Sequence, residues 1–147
     1  MKAMALAALM LSTGAVADKG LPNVDAAAFK CLSLNLYHEA RGEGIEGMKA
    51  VAMVVLNRAA AQSKSVCAVV YKRKQFSWTN TKQGRNKPLG DDNLRAVLTV
   101  AYSALAGGID DTTGGANHYH ACAVPPKWTK SMVFTNAIGN HRFYKQL

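Results

Sequence analysis

Apolar residues recur every three or four positions in three stretches of the chain, which is the spacing that predicts amphipathic helices. The first stretch has Asn23 or Asp25 as its candidate cap and runs to about Arg41. Within it, Leu32 and Leu36 are separated by one helical turn. We therefore predict a first helix that buries one face and ends close to residue 41.

Two further helices follow from the same spacing. Residues 45–61 carry a broad apolar face, as expected of a central core helix, and Ser65 is a candidate cap for a short helical turn after it. Asp91 or Asp92 is the candidate cap of a third long helix, which runs to about Ala106, where two glycines follow.

The remaining parts of the chain do not show helical spacing. Residues 72–90 are basic and polar, and they predict a long ordered loop or a small strand, a type of segment that often carries function. Near the C-terminus, residues 116–121, 133–137 and 141–144 form short runs between turn signals. The predicted fold class is therefore α+β, mostly helical, with a small antiparallel sheet near the C-terminus.

The first 17 residues have the pattern of a cleaved signal peptide. Lys2 is followed by an apolar run over residues 3–11, and small residues at 15–17 offer a cleavage site before Asp18. The run is shorter than the roughly 20 residues that span a bilayer. We expect one domain over residues 18–147, secreted or in the periplasm or cell envelope, with no membrane span after cleavage. An uncleaved anchor or a buried first helix is the alternative.

Charge and cysteine content narrow the choice of partner. The sequence has 18 basic and 9 acidic residues, a net charge of +9, which favours polyanions such as nucleic acid, anionic lipid or a cell wall. Export favours the wall, and leaves nucleic-acid binding as a nonspecific effect of charge. An antiparallel pair of helices would bring Cys31 to Cys67, so we expect these two to form a disulfide and Cys122 to be a buried or free thiol.

Glu39 is the most informative residue for chemistry. It ends an apolar helical stretch, and after Glu43 and Glu46 no acid follows until Asp91, while basic residues accumulate. A general acid near neutral pH needs a raised pKa, which burial among apolar groups provides. Four aromatic residues could form such walls or stack on sugar rings, although each could equally belong to the core: Phe76, Trp78, Tyr119 and Trp128.

The histidines permit a different chemistry. His118 and His120 would lie on one face of a strand, as ligands in a zinc-dependent wall peptidase or amidase would. However, the segment from His38 to Glu43 does not have the HExxH zinc spacing, and the sequence indicates no third ligand, so we expect no cofactor. A third alternative is a non-catalytic module that binds the wall through its basic charge.

Residues 34–43, Leu-Asn-Leu-Tyr-His-Glu-Ala-Arg-Gly-Glu, resemble the signature of the SleB/CwlJ-type cell wall hydrolases, the spore-cortex-lytic enzyme group. The family's pattern also agrees, in order, with these further blocks: 47–52 with 55–58, 66–71, 75–79, and 113–116 with 119–120, 128 and 138–143. The resemblance implies a lysozyme-like domain that cleaves the glycan strands of peptidoglycan around one essential glutamate, which falls on Glu39. His38 departs from the pattern, because many relatives have glycine there.

A single carboxylate is sufficient for a lytic transglycosylase or muramidase that cuts between N-acetylmuramic acid and N-acetylglucosamine. The expected enzyme is a monomer that uses Glu39 first as acid and then as base, with Glu43 in support. The candidate substrate-binding residues are Glu43, Gln75, Phe76, Ser77, Trp78, Asn117, Tyr119 and His120.

Overall fold

The computed structural model describes residues 21–90, 93–121 and 123–147. Three predictions lie outside these residues, namely the signal peptide over residues 1–17, the cap at Asp91 or Asp92, and the state of the Cys122 thiol. Within the described ranges, no helix is long and apolar enough to cross a membrane.

The helices agree closely with the hydrophobic pattern. The order of helices is α1 (Ala26–Ala40), α2 (Gly44–Gln62), α3 (Val66–Val70), α4 (Lys82–Arg85) and α5 (Leu94–Leu105). Asp25 caps α1 by accepting a hydrogen bond from the Ala28 amide at 2.7 Å, and Ser65 caps α3 by accepting one from the Ala68 amide at 3.1 Å. The N-cap position of α5 belongs to Asn93, whose side chain instead donates to the Arg41 carbonyl at 2.8 Å.

The basic segment over residues 72–90 contains no strand, so the strand alternative is wrong. It holds a 3₁₀ turn at Ser77–Thr79 and the short α4. Thr81 caps α4 through the Gly84 amide at 3.0 Å, and a Cβ at Gly84 would clash with the Trp78 carbonyl oxygen. The chain therefore folds back on itself here, which an extended strand does not allow.

Three short strands form the predicted sheet near the C-terminus. β1 (His118–Ala121), β2 (Val133–Ile138) and β3 (His141–Lys145) are arranged in the order β1-β3-β2, with both pairings antiparallel. A second 3₁₀ turn, Lys127–Ser131, lies between β1 and β2. The α+β fold class, mostly helical with a small antiparallel sheet, is confirmed.

Helix α2 lies at the centre of the molecule. One buried face packs with α1, α3 and α5, where Leu36, Val51 and Val97 are fully buried. A second cluster, which includes Val54 and Phe143, joins α2 to the sheet. The predicted central helix is thus the element that fixes the sheet, which carries Tyr119, relative to α1, which carries Glu39.

The predicted disulfide between Cys31 and Cys67 is present and joins α1 to α3. The chain between the two cysteines contains the whole of α2, so the bond encloses α2 in a covalent loop. Bonds of this kind persist in oxidising compartments, in agreement with the expectation of export.

Asp111 organises the loop that leads into β1. Its carboxylate accepts hydrogen bonds from the Thr113 amide at 2.8 Å, the Gly115 amide at 3.1 Å and the Asn57 side chain at 3.0 Å. Burial alone would raise the pKa of Asp111, but a hydrogen bond from the Thr113 hydroxyl, together with these three, outweighs burial and lowers it. Asn57 also donates to the Ala116 carbonyl at 2.9 Å, so α2 sets the position at which β1 begins.

Candidate active site

Glu39 lies in the last turn of α1 and is half-buried against the sheet. The Tyr119 hydroxyl, from β1, donates a hydrogen bond to Glu39 Oε2 at 3.1 Å. Helix α2 packs against both α1 and the sheet, and it thereby brings together two residues that are far apart in the sequence. The carboxylate predicted from the pattern therefore has a defined neighbour and orientation.

The surroundings of Glu39 favour its neutral form. Burial raises the pKa of Glu39, whereas the Tyr119 hydrogen bond and the charge of Arg58 lower it, and burial has the larger effect. Burial, together with the charge of Glu39, raises the pKa of Tyr119 well above its usual value, so the phenol stays protonated and remains a donor. A carboxylic acid with a raised pKa can donate a proton near neutral pH.

Arg58 supplies a buried cation without neutralising the glutamate. The residue is 5% exposed, and its guanidinium donates from Nε to the Asn117 carbonyl and lies 5.5 Å from the centre of the Phe76 ring. Burial lowers the pKa of Arg58, and among the described residues it forms no ion pair with a carboxylate. The cation is thus close enough to influence Glu39 but does not hold it as a salt bridge.

A cavity of about 240 Å³ opens beside the Glu39 carboxylate. Its walls come from α1, α2, the basic segment, β1 and the second 3₁₀ turn, and consist of Glu39, Arg58, Lys74, Gln75, Phe76, Ser77, His118, Tyr119 and Trp128. Five of the predicted site residues meet here: Glu39, Gln75, Phe76, Ser77 and Tyr119. Trp128, considered as an aromatic wall, also lines the cavity.

Trp78 belongs to the core behind this cavity. Its indole nitrogen donates to Asn35 Oδ1 at 3.1 Å, and its ring stacks on His38 at 4.5 Å between centroids. The tight 3₁₀ turn sends neighbouring side chains in different directions, so that Ser77 is exposed to the cavity while Trp78 is buried. Trp78 therefore supports the wall that Phe76 forms.

Asn117 and His120 flank the cavity without lining it. Asn117 Oδ1 accepts from the Gln146 amide at 2.9 Å and lies 2.9 Å from His118 Nδ1, so it is occupied by protein partners. His120 is buried against Tyr144, with 3.3 Å between its Nε2 and the phenol oxygen. Both side chains position β1 and its neighbours.

Glu43 has a structural role at the α2 end of the α1–α2 junction. Its carboxylate accepts from the Asn140 backbone amide at 2.9 Å, and this hydrogen bond lowers the pKa of Glu43. The contact secures the turn between β2 and β3, where Gly139 has a φ of 56° and a Cβ would lie 2.8 Å from Glu43 Oε2. Glu43 does not line the cavity that holds Glu39.

His118 and His120 do not assemble a metal site with other side chains of the described ranges. Within those ranges, no group of three or more histidine, cysteine or acidic residues is arranged to hold a metal ion. His118 instead faces the cavity beside Trp128, with 5.6 Å between the ring centroids, and burial lowers the pKa of His118.

Sequence reasoning missed Arg58 and Lys74 as members of the site. Arg58 follows Val51 and Val54 by seven and four positions, so it shares their buried helical face, where an arginine needs an explanation. Lys74 was visible as part of a basic run but its place in the cavity depends on the fold-back of residues 72–90. Periodicity is therefore sufficient to identify Arg58 as a candidate for the site, but it does not identify Lys74.

Comparisons with known proteins add an independent finding. A family model described as Cell Wall Hydrolase matches residues 42–144, a range that begins three residues after Glu39. The crystal structure of the catalytic domain of the Bacillus cereus SleB protein is similar, with a TM-score of 0.69 and 25% identity over 84% of this chain and 93% of that chain. The catalytic domain of the germination-specific lytic transglycosylase SleB from Bacillus anthracis has a TM-score of 0.64 and 28% identity, over 82% of this chain and 96% of that one. No curated protein matches the sequence.

Proposed function

Because this chain belongs to the cell wall hydrolase family, with a catalytic domain of SleB type, we propose that it cleaves peptidoglycan glycan strands with Glu39 as its catalytic carboxylate. The observation that carries the proposal is the half-buried Glu39 carboxyl group, with a raised pKa, in the wall of a cavity and hydrogen-bonded to Tyr119. The similarity to a lytic transglycosylase of Bacillus anthracis supports the reaction type.

In the first step, the protonated Glu39 donates its proton to the oxygen that links N-acetylmuramic acid to N-acetylglucosamine. The bond from that oxygen to the muramyl C1 breaks, and an oxocarbenium-like centre develops at C1. The raised pKa of Glu39 increases the protonated fraction of the carboxyl group at any given pH. Tyr119 holds the other carboxyl oxygen, so the acid keeps one orientation during the transfer.

In the second step, Glu39 acts as the base. The carboxylate takes the proton from the muramyl C6 hydroxyl, whose oxygen attacks C1 and closes a 1,6-anhydro ring. The glutamate is then protonated again for the next cycle. Because nucleophile and electrophile belong to the same sugar, proximity favours attack without a positioned water.

The composition of the cavity favours this route over hydrolysis by two carboxylates. Ordinary glycoside hydrolysis uses an acid pair on either side of the bond. Among the described residues that line the cavity, Glu39 is the sole acid, while Glu43 is bound to the turn at Asn140. A single residue that serves as acid and base needs no partner carboxylate.

Substrate contacts follow from the cavity walls. Gln75 and Ser77 offer hydrogen bonds to the acetamido groups of the sugars, and Phe76 and Trp128 offer apolar faces to the sugar rings. Trp78, Asn117, His120 and Glu43 support these walls from outside. We expect a monomer that acts in the envelope or outside the cell, where the Cys31–Cys67 disulfide persists.

Mass spectrometry of the soluble fragments from purified peptidoglycan tests this function. We expect glycan fragments that end in 1,6-anhydromuramic acid, each one water lighter than the corresponding hydrolysis product. Fragments with reducing muramic acid ends would assign the reaction to a muramidase instead. Release of peptides alone, with the glycan intact, would contradict the proposal.

A further inference from the structure

A second, larger cavity adjoins the one that contains Glu39. It has a volume of about 510 Å³ and is lined by Tyr71, Arg73, Lys74, Thr79, Asn80 and Arg85. Lys74 lines both cavities, so the two are neighbours across a single side chain. A long polymer bound in the first cavity would therefore pass close to the second.

The second cavity carries positive charge, and among the described residues no acid lines it. Arg73, Lys74 and Arg85 contribute three cations, and no Asp or Glu occurs between Glu46 and Asp91 in the sequence. Within the described part of the chain, none of these three cations forms an ion pair. Uncompensated charge in a concave surface attracts anionic groups.

Local contacts give this cavity a fixed shape. Lys74 adopts a left-handed backbone with a φ of 64°, and its amide donates to Asn80 Oδ1 at 3.2 Å. Arg85 donates from Nη1 to the Thr79 carbonyl at 2.7 Å, which anchors the guanidinium and leaves its other N–H groups as donors. The cations are thus held by a folded segment rather than by a disordered basic tail.

From this arrangement we propose that the second cavity binds carboxylate groups of the peptide stems attached to the same glycan strand that Glu39 cleaves. The inference rests on the proposed function. The amino sugars of the strand are neutral, and the peptide attached to muramic acid carries its carboxylates close to the scissile bond. Arginine matches a carboxylate with paired hydrogen bonds, and Lys74 lies where sugar and peptide would meet.

Binding to two forms of the same wall material tests the inference. The material consists of purified sacculi without phosphate polymers, either native or with their carboxylates converted to amides by carbodiimide and ammonia. The proteins carry Glu39→Gln to prevent digestion, and are compared without a further change, with Arg73→Gln, and with Lys64→Gln. Arg73 and Lys64 are both exposed, and Lys64 lines neither cavity, which makes it a matched control for charge.

We expect Arg73→Gln to weaken binding to native sacculi about three- to fivefold, the usual effect of losing one partly exposed ion pair. On amidated sacculi the same change should have no more effect than Lys64→Gln. An equal loss on both materials, or equal losses for Arg73→Gln and Lys64→Gln on native sacculi, would overturn the inference.

Cleavage by the protein with Glu39 intact separates this inference from the proposed function. If native sacculi release 1,6-anhydro fragments but the protein binds native and amidated sacculi equally well, the proposed function stands and the carboxylate-binding site is wrong. If binding depends on carboxylates and Arg73 but no glycan is cleaved, the site stands as a binding site and the catalytic proposal fails.

Discussion

Two glutamates four residues apart show how the surroundings decide a residue's role. Burial raises the pKa of Glu39, whereas a backbone hydrogen bond from Asn140 lowers the pKa of Glu43. The first is suited to donate a proton in a cavity, and the second to stay charged and hold a turn. The same side chain is thus a catalytic candidate at one position and a structural anchor at the other.

Replacing Tyr119 with phenylalanine tests the acid role of Glu39 through the pH dependence of the activity. The Tyr119 hydrogen bond lowers the pKa of Glu39, so its removal raises that pKa further. An acid must be protonated to act, and activity falls as pH rises through its pKa. We therefore expect the alkaline limb of the kcat/KM profile to move to higher pH, with about a two- to tenfold loss of maximal activity.

Tyr102→Phe is the matched control, because its hydroxyl donates to the Pro22 carbonyl at 2.9 Å, away from both cavities. This variant should leave the profile in place. If the alkaline limb of Tyr119→Phe stays fixed or moves to lower pH, the pKa of a group other than Glu39 determines that limb.

The sequence was sufficient to place some of the predicted residues in the site and insufficient for others. Glu39 and Tyr119 were identified from composition and pattern, and the structure brings them together. Trp78 has the same aromatic character as Phe76, but its direction depends on the 3₁₀ turn and on its hydrogen bond to Asn35. Which of two adjacent aromatics faces a cavity is set by tertiary contacts, which periodicity does not contain.

Elements with a strong hydrophobic period were predictable, and the segment without one was not. The 3.6-residue period located the long helices, because burial of one face determines each of them, and short runs between turn signals located the three strands. Residues 72–90 are ordered instead by specific contacts, such as the Arg85 bond to the Thr79 carbonyl and the close approach of Gly84 to Trp78. Contacts of that kind leave no repeating pattern in the sequence.

The disulfide between α1 and α3 offers a prediction at the scale of elements. Cys31 and Cys67 are 36 residues apart, and closing a loop of that length in the unfolded chain corresponds to roughly 3–4 kcal/mol of stability. We expect Cys31→Ala with Cys67→Ala to lower the unfolding free energy by about that amount in urea denaturation monitored by circular dichroism.

Addition of a reductant should destabilise the original protein to the same level and leave the double variant unchanged. A double variant as stable as the original protein would show that the helical layer does not depend on the bond.

At the scale of the molecule, α2 assembles a site from distant parts of the chain. It holds α1 on one side and the sheet on the other, and thereby brings Glu39 to Tyr119. The basic segment completes the cavity and adds the cationic surface beside it. Four basic residues, Arg58, Arg73, Lys74 and Arg85, line the two cavities, and among the described residues Glu39 is the one acid that does.

The most direct test of this account compares the release of soluble fragments from purified sacculi by the original protein, Glu39→Gln and Glu43→Gln. Both substitutions keep the size and shape of the side chain and replace one carboxylate oxygen with an NH2 donor, and thermal melting would establish that each variant is folded. The account predicts that Glu39→Gln lowers the rate by about a hundredfold to ten-thousandfold, the usual contribution of general acid–base catalysis, and that Glu43→Gln stays within about tenfold of the original. A folded Glu39→Gln variant with full activity, or a greater loss in Glu43→Gln, would contradict it.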